Sequence, residues 1–404
     1  MSSPATPDPA PLGPLSGIQV VDASRVLAGP YCGTLLADMG ADVVRVEHPT
    51  KQDEVKSWTP IVHGTSATYA AVNHSKRGIA LDLSSPGGVE VFRRMLAGAD
   101  VLIENFRPGT MDDLGLSRDA LRGVNPRLLH CAIRAYPTGT TNEDLPGYES
   151  SLQAYSGIMS LTGEPDRDPV RCGVSVVDIG TGMAATIAIM AALRERDRTG
   201  EGQYVEPSLL RTATNLMNYQ IAGYSMAGVS PQRHGSGHAL LVPYRNFQCA
   251  DGVALIAASN EILWAKLCTV LQLHDRADLT QFATPALRIT HRAQVNDLVA
   301  AAVKDRPLHD VLQALDAAGI PCAAVNTIRD YLADPSLAPA GVLESVSIPG
   351  GEDALFAGAL FGAGFLPHKR SAPPRTGEHT TGILQSLGYS TEQISALRAA
   401  RAVS

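Results

Sequence analysis

One acidic residue is a candidate for covalent chemistry. Asp178 lies in residues 173–182, which read GVSVVDIGTG, with no Lys or Arg beside it. Nearby glycines let a ligand approach closely, and a small apolar helix is predicted over residues 183–193. A carboxylate at this strand-like-to-helix junction is poorly solvated, as a carboxylate nucleophile needs to be. Position alone favours a plainer interpretation, in which Asp178 caps the helix by accepting its first backbone N–H groups.

Two other segments carry groups that suit an anionic ligand. Residues 25–33 read RVLAGPYCG and lead from a predicted strand into a helix, whose first N–H groups and dipole could bind a phosphate. Residues 103–109 read IENFRPG and follow another predicted strand at the same edge of the sheet. There Asn105 offers an amide, Phe106 a stacking face and Arg107 a phosphate contact. Each segment also fits an ordinary turn between a strand and a helix.

A third segment, residues 146–150, reads PGYES ahead of a helix predicted over residues 153–159. Tyr148 and Glu149 could orient or polarise a substrate, although the residues by themselves favour a turn with solvated side chains. The sequence contains no GxGxxG fingerprint, P-loop, HExxH or Ser-His-Asp order that would indicate another chemistry. A nicotinamide dehydrogenase is therefore not expected.

Composition excludes several classes of protein. The 404 residues are 45% hydrophobic and 18% charged with a net charge of −7, which fits a globular protein of two or three domains and not a nucleic-acid binder. The six cysteines are scattered without CxxC spacing, which argues against zinc or disulfides and for a reducing cytoplasm. His234 and His238 lie in a Gly-rich stretch and are interpreted as loop residues, so no metal site is expected.

The sequence predicts no association with a membrane. Residues 1–14 are rich in Pro, Ala and Ser and lack the apolar core of a secretory signal, so they are predicted to form a disordered arm. The most apolar stretch, residues 183–193, is too short to cross a bilayer. A cytoplasmic protein is therefore expected.

Strand and helix patterns alternate in the first half of the chain. Helices are predicted from Pro30 to Met39 and after Ser85 and Pro86, which suit the first positions of a helix. Strands are predicted at residues 18–24, 42–47, 79–83, 100–106 and 128–134. The alternation predicts an α/β fold with a mostly parallel sheet covered by helices.

The second half differs in character. One long helix is predicted at residues 206–228, followed by a Gly- and His-rich linker at 229–242. A smaller unit then carries predicted strands at 253–257 and 321–325 and predicted helices at 260–271 and 308–318. The predicted divisions are an arm at 1–14, a large α/β domain at 15–228, a linker and small domain at 229–325, and a C-terminal segment at 326–404.

Taken together, these segments resemble the class III CoA-transferases, which include formyl-CoA transferase and the carnitine CoA-transferases. The combination of ENFRPG with DIGTGM and RTGEGQ is specific, and the resemblance runs from about residue 15 to residue 379. Other matching stretches are LSGIQVVDASRVLAGP, LADMGADVVRVEHP, NHSKRGIALDL, PGYES and GEHT. The resemblance implies a large domain with a Rossmann-like parallel sheet, to which the C-terminal segment returns, a smaller α+β domain, and a homodimer of interlocked chains.

The resemblance also implies a covalent mechanism. Asp178 falls on the family's nucleophile, which attacks an acyl-CoA thioester and holds CoA as an aspartyl thioester until an acceptor carboxylate takes it. Glu149 matches an acid that tunes this site, and backbone N–H groups near Gly180 and Gly182 could stabilise the oxyanions. The implied partners are an acyl-CoA and a carboxylic acid, with coenzyme A as part of the substrate and no tightly bound cofactor.

Positions along the implied CoA path match less evenly. Those that fall on the family's CoA- and substrate-binding positions are Leu27, Ala28, His48, Leu81, Asn105, Phe106, Arg107 and Tyr148. His48 stands where relatives often have an Arg for the nucleotide phosphates, and Asp113 stands where formyl-CoA transferase has one. Leu27 replaces a Gln of that enzyme, and residues 233–247 lack its glycine run. Oxalate is therefore not expected as the acceptor, and a larger or less polar acid fits better.

Two alternative functions stay open. An α-methylacyl-CoA racemase, from the same superfamily, needs a His where this chain has Tyr148, and a neutral tyrosine is a poor base at neutral pH. A catalytically silent CoA-binding protein is kept open by His48 and Asp113, whereas the intact segment around Asp178 speaks against it. The sequence therefore predicts a class III CoA-transferase.

Overall fold

A computed structural model describes residues 13–275, 277–362 and 370–404. The arm predicted at residues 1–14 lies outside these ranges except for its last two residues. The strands are β1 (Gln19–Asp22), β2 (Asp42–Glu47), β3 (Ile61–Val62), β4 (Thr65–Ser66), β5 (Arg77–Ala80), β6 (Val101–Glu104), β7 (Leu129–Ala132), β8 (Tyr204–Val205), β9 (Tyr244–Gln248), β10 (Val253–Ala257), β11 (Cys322–Ala324), β12 (Leu343–Val346) and β13 (Ala354–Ala357). The helices are α1 (Ala28–Asp38), α2 (Ala67–Ala71), α3 (Pro86–Gly98), α4 (Thr110–Asp113), α5 (Arg118–Val124), α6 (Glu149–Ser156), α7 (Ile158–Leu161), α8 (Val176–Thr199), α9 (Leu209–Leu216), α10 (Asn218–Ala227), α11 (Glu261–Val270), α12 (Pro285–Thr290), α13 (Arg292–Val303), α14 (Leu308–Ala317), α15 (Ile328–Leu332), α16 (Thr380–Ser386) and α17 (Thr391–Ala399).

The chain forms two units. The larger unit contains the described residues up to Ser156, then Gly173–Leu216 and Ser336–Ser404, and the smaller unit contains Gly157–Cys172 and Met217–Pro335. Residues 157–172 were predicted as part of the large domain but pack with the smaller unit. The Arg233 guanidinium accounts for this, because it donates to backbone carbonyls across that stretch, among them Glu164 at 3.1 Å and Arg167 at 3.0 Å.

A six-stranded parallel sheet in the order β5-β2-β1-β6-β7-β8 is the centre of the larger unit. The chain builds outward from β1 through β2 to β5 and then returns to the other side of β1 with β6. The strand order therefore reverses between β1 and β6. Ligands of open parallel sheets bind outside the carboxyl ends of the strands at such a switch point. The predicted α/β fold with a parallel sheet is confirmed.

Helices cover both faces of this sheet, which is why its strands read as continuous apolar runs. On one face Val21, Val44 and Leu102 belong to a core that includes Phe92 and Leu96 of α3. Helix α3 begins as predicted, because Ser85 Oγ accepts the N–H of Gly88 at 3.1 Å and Pro86 holds the first position. Helices α1 and α8 pack against each other in the same unit.

Several predicted bounds agree with the structure and others do not. Strands β2 and β10 have the predicted ends, whereas β5 begins two residues and ends three residues earlier than predicted, and β6 stops at Glu104. The helix predicted from Pro30 begins at Ala28, and the single helix predicted at 206–228 is divided into α9 and α10 at Met217.

Helix α8 differs most from its prediction. It has 24 residues and begins at Val176, so the stretch 183–193 is only its middle and Asp178 lies in its first turn. By length and composition alone the whole helix could cross a membrane, because it extends beyond the short stretch that was predicted. Its Ala185 and Ile189 are fully buried inside the larger unit, as in the core helix of a globular protein.

The smaller unit has its own core. A three-stranded antiparallel sheet in the order β11-β10-β9 packs with α11, α13 and α14, whose Trp264, Leu267, Val299 and Leu315 are buried together. The sequence patterns identified β10, β11, α11 and α14 but missed β9, α12 and α13.

Candidate active site

A cleft of about 710 Å³ opens in the larger unit at the carboxyl edge of the parallel sheet. It surrounds the switch point, because the residues that follow β1, β2, β5, β6 and β7 all contribute to its walls. The carboxyl ends of parallel strands share one edge, which brings distant segments of sequence together. The predicted site residues that line this cleft are Leu27, Ala28, His48, Leu81, Asn105, Phe106, Arg107, Tyr148 and Asp178.

Asp178 is a buried acid on the cleft wall. It holds the third position of α8 and is 9% exposed. Burial and, to a smaller extent, repulsion from the Glu149 carboxylate raise the pKa of Asp178 to about 7. Its charged form is therefore costly, so forming an ester or thioester there removes a charge that the fold solvates poorly.

Glu149 caps helix α8. Its Oε2 accepts the backbone N–H of Asp178 at 2.7 Å, and its Oε1 accepts the N–H of Val177 at 3.3 Å and the side-chain amide of Gln153. Free N–H groups at a helix N-terminus favour a nearby negative charge, so a buried carboxylate is tolerated here. The interpretation of Asp178 as the cap of its own helix was therefore wrong.

The PGYES segment is partly helical. Glu149 is the first residue of α6 rather than part of a turn, because this helix begins four residues earlier than predicted. Tyr148 precedes the helix, where its N–H donates to Ser151 Oγ at 2.9 Å and its side chain is exposed at the cleft. The segment thus turns Glu149 inward and leaves Tyr148 in solvent.

Gly180 and Gly182 lie within α8, where backbone N–H groups bond to carbonyls of the preceding turn. They do not supply the oxyanion contacts expected of them. Gly182 permits close packing instead, since a Cβ there would lie 2.7 Å from the carbonyl oxygen of Ala28 and 3.0 Å from the ring of Tyr31. Residues four apart share a helix face, so the first turn of α1 meets the face that carries Asp178.

The turn between β1 and α1 has an unusual backbone. Val26 has a φ of 65°, a left-handed conformation that costs a β-branched residue about 1–3 kcal/mol. Asn105 binds both backbone groups of Arg25, the residue before Val26. Its Oδ1 accepts the Arg25 N–H and its Nδ2 donates to the Arg25 carbonyl, each at 2.9 Å. Asp53 accepts the Val26 N–H at 3.2 Å and is itself paired with the buried Arg45 at 2.5 Å.

The expected phosphate contacts are rearranged. His48 Nδ1 accepts the backbone N–H groups of Thr50 at 3.1 Å and Lys51 at 3.0 Å, and Nε2 lies 3.5 Å from Asp82. His48 therefore uses its ring nitrogen to order this loop. Asp113 ends the short helix α4, outside the residues that line the cleft.

Three cations that were not predicted as site residues also line the cleft, namely Arg25, Lys51 and Arg134. Arg134 pairs with Glu104 at 3.0 Å and donates to the carbonyl of Phe106 at 2.7 Å, while the Phe106 N–H donates to Glu104 at 2.7 Å. Both backbone groups of Phe106, its N–H and its carbonyl, are therefore held by hydrogen bonds. Arg25 and Lys51 have exposed side chains, and their positions just after β1 and β2 were the signal that could have identified them.

Known proteins resemble this chain over most of its length. Residues 15–380 match the model of CoA-transferase family III. A succinate–glutarate CoA-transferase from Agrobacterium fabrum is 35% identical over 93% of this chain and 96% of its own length. The human succinyl-CoA:glutarate CoA-transferase is 31% identical over 96% of this chain and 90% of its own length. The crystal structure of a CaiB/BaiF family protein from Brucella suis aligns with a TM-score of 0.80 at 34% identity, over 93% of this chain and 100% of that one. The chain therefore belongs to CoA-transferase family III and is a CoA-transferase.

Proposed function

We propose that this enzyme transfers CoA between two carboxylic acids through covalent intermediates on Asp178. The observation that carries the proposal is a buried carboxylate with a raised pKa on the wall of a cleft at the switch point of the sheet. A carboxylate that is poorly solvated and unusually basic is a better nucleophile than an ordinary aspartate.

The exchange takes two half-reactions. In the first, an Asp178 oxygen attacks the thioester carbon, the C–S bond breaks, and a mixed anhydride and CoA thiolate form. The thiolate then attacks the aspartyl carbonyl carbon, which releases the donor acid as a carboxylate and leaves CoA bound to Asp178 as a thioester. The acceptor carboxylate reverses these steps and leaves as its own CoA thioester. No net proton is gained or lost, and the Asp178 carboxylate is restored.

Surrounding groups support these steps in different ways. Glu149 holds the first turn of α8 and disfavours the free charge of Asp178, so acylation of Asp178 is favoured by relief of their repulsion. The first turn of α1 begins at Ala28 with backbone N–H groups that suit a developing oxyanion. Lys51 and Arg107 offer positive charge to the CoA phosphates along the same cleft.

We infer that the acceptor and the donor acid are dicarboxylic acids larger than oxalate. The names of the two relatives given above pair succinate or succinyl-CoA with glutarate. In this chain the buried Leu27 lines the cleft, so part of the wall is apolar and suits the methylene groups of a longer acid. Oxalate has no methylene group with which to use such a surface.

We also propose that the protein works as an interlocked homodimer in the cytoplasm. Helix α10 supports a partner chain, because its Tyr219, Tyr224 and Met226 are all exposed. A run of exposed apolar side chains on one helix is typical of a surface that another chain covers. Light scattering during size exclusion measures the mass directly, and a protomer of 42.5 kDa at micromolar concentration would contradict the proposal.

Mass spectrometry of the intact protein and its peptides tests the chemistry. After incubation with succinyl-CoA, the wild type should carry a CoA thioester or succinyl adduct on the peptide containing Asp178, and Asp178→Ala should carry none while still binding CoA. Exchange activity that survives in Asp178→Ala would refute the mechanism. Deuterium exchange next to the thioester without any adduct would instead favour the racemase.

A further inference from the structure

We infer that Asn105 is a positioning residue for CoA transfer: it holds the strained turn before α1 and thereby sets the first turn of α1 against Asp178. The inference rests on the proposed function, because it takes Asp178 as the reacting group. Asn105 would then act through the backbone of another segment rather than by contacting CoA.

The side-chain amide of Asn105 is mostly used by the protein itself. Its oxygen and one of its N–H groups bind the two backbone groups of Arg25, each at 2.9 Å. An Asn amide has one acceptor oxygen and two N–H groups, so one N–H is left over for a ligand. The pair of bonds ties the residue after β6 to the turn after β1, across the point where the strand order reverses.

The turn needs such support because its next residue is strained. Val26 has a φ of 65°, which side chains branched at Cβ adopt only when their surroundings impose it. Two groups impose it here. Asn105 holds the peptide groups of Arg25, and Asp53, itself fixed by the buried Arg45, accepts the Val26 N–H at 3.2 Å.

The strained turn is connected to the nucleophile by direct packing. Leu27 follows Val26 and precedes α1, whose first residue is Ala28. The Ala28 carbonyl oxygen would lie 2.7 Å from a Cβ on Gly182. Gly182 is one turn beyond Asp178 on the same face of α8. A change at Val26 therefore shifts the first turn of α1 relative to Asp178, whereas Lys51 and Arg107, which are proposed to meet the CoA phosphates, lie outside this turn.

Asn105→Ala tests this role through the rate of adduct formation on Asp178. The first-order rate after mixing with succinyl-CoA should fall by at least about tenfold, equivalent to about 1.4 kcal/mol, while the Kd for CoA changes by less than about threefold. Asn125→Ala is the matched control, since Asn125 binds the carbonyls of Leu96 and Ala99 with its amide away from the active-site cleft. It should leave the adduct rate unchanged whatever it does to the melting temperature.

A double-mutant cycle with Val26→Gly separates positioning from general damage. Glycine adopts a φ of 65° without strain, so the turn then depends less on Asn105. The loss caused by Asn105→Ala should be at least about threefold smaller in the Val26→Gly background than in the wild-type background. Equal losses in both backgrounds would overturn the inference, and so would a weaker Kd for CoA with an unchanged adduct rate, which would make Asn105 a ligand contact.

The same experiment distinguishes this inference from the function on which it rests. Absence of any adduct in the wild type would refute the covalent mechanism at Asp178. A wild-type adduct that forms equally fast in Asn105→Ala would leave that mechanism standing and refute the positioning role alone.

Discussion

Replacement of Asp178 by Asn should abolish CoA transfer and at the same time stabilise the folded protein at alkaline pH. Asn has nearly the same shape as Asp but no charge, and it cannot form the anhydride. The pKa of Asp178 is raised from an ordinary value of 3.8 to about 7, chiefly by burial and then by Glu149. The fold therefore works against the ionised side chain that the proposed reaction needs, an arrangement typical of active sites.

The sign and size of the effect follow from these pKa values. Between the unfolded and folded pKa values the folded chain binds more protons, so stability falls as the pH rises from about 4 to about 7. The interval of about 3.2 corresponds to roughly 4 kcal/mol at 1.36 kcal/mol for each unit of pH. The Asp178→Asn variant carries no such penalty, so it should gain up to roughly 4 kcal/mol at about pH 8 and a little over a third of that at about pH 5.

Urea unfolding of the wild type and Asp178→Asn at several pH values measures this difference. The gap between the two midpoints should widen from about pH 5 to about pH 8 and then stay constant. Asp278→Asn is a suitable control, because bonds from Thr280 lower the pKa of Asp278 and its removal should bring no gain at alkaline pH. A midpoint gap that is absent or independent of pH would refute the reasoning.

Three further changes should have distinct effects. Glu149→Gln removes the smaller of the two causes that raise the pKa of Asp178. The acid limb of the pH profile of kcat/KM should therefore move to lower pH by less than half of the total shift, or less than about 1.6 pH units, and an unmoved limb would contradict this. Gly182→Ala places a Cβ against backbone and should lower the free energy of unfolding by about 1–3 kcal/mol, whereas Gly123→Ala, on an open surface of α5, should not lower it. Lys76→Met leaves a buried aspartate poorly paired and should cost about 3–5 kcal/mol in urea unfolding; a cost near zero would show that the pair is not needed.

Local patterns were sufficient for five strands of the parallel sheet, missed the edge strand β8 and were insufficient around Asp178. Strands β2 and β10 have their predicted ends because buried apolar runs bounded by turn residues have few other solutions. Helix α8 was predicted too short because Gly180 and Gly182 look like loop residues in isolation. They are tolerated in a helix here because the Ala28 turn packs against Gly182 too closely for any side chain.

The candidate site shows the same division. The motifs pointed to Asp178, Asn105 and Arg107 because their residue types suit acyl transfer and phosphate binding, and all three line the cleft. No local pattern indicated that Glu149 caps α8, because that bond joins residues 29 positions apart. Likewise, the bonds from Asn105 to Arg25 join residues that are 80 positions apart in the chain.

By itself the sequence determined the α/β class, the alternation of helices with five strands of the parallel sheet, the family resemblance and the acid that we propose as the nucleophile. These properties reside in residue type and short-range spacing, which burial and turn chemistry translate directly into local structure. Only the tertiary structure decided how acidic that carboxylate is, which group caps its helix and which side chains hold the strained turn at Val26. Those depend on burial and on contacts between residues far apart in the chain, and a pKa or a hydrogen bond exists only once such residues are brought together.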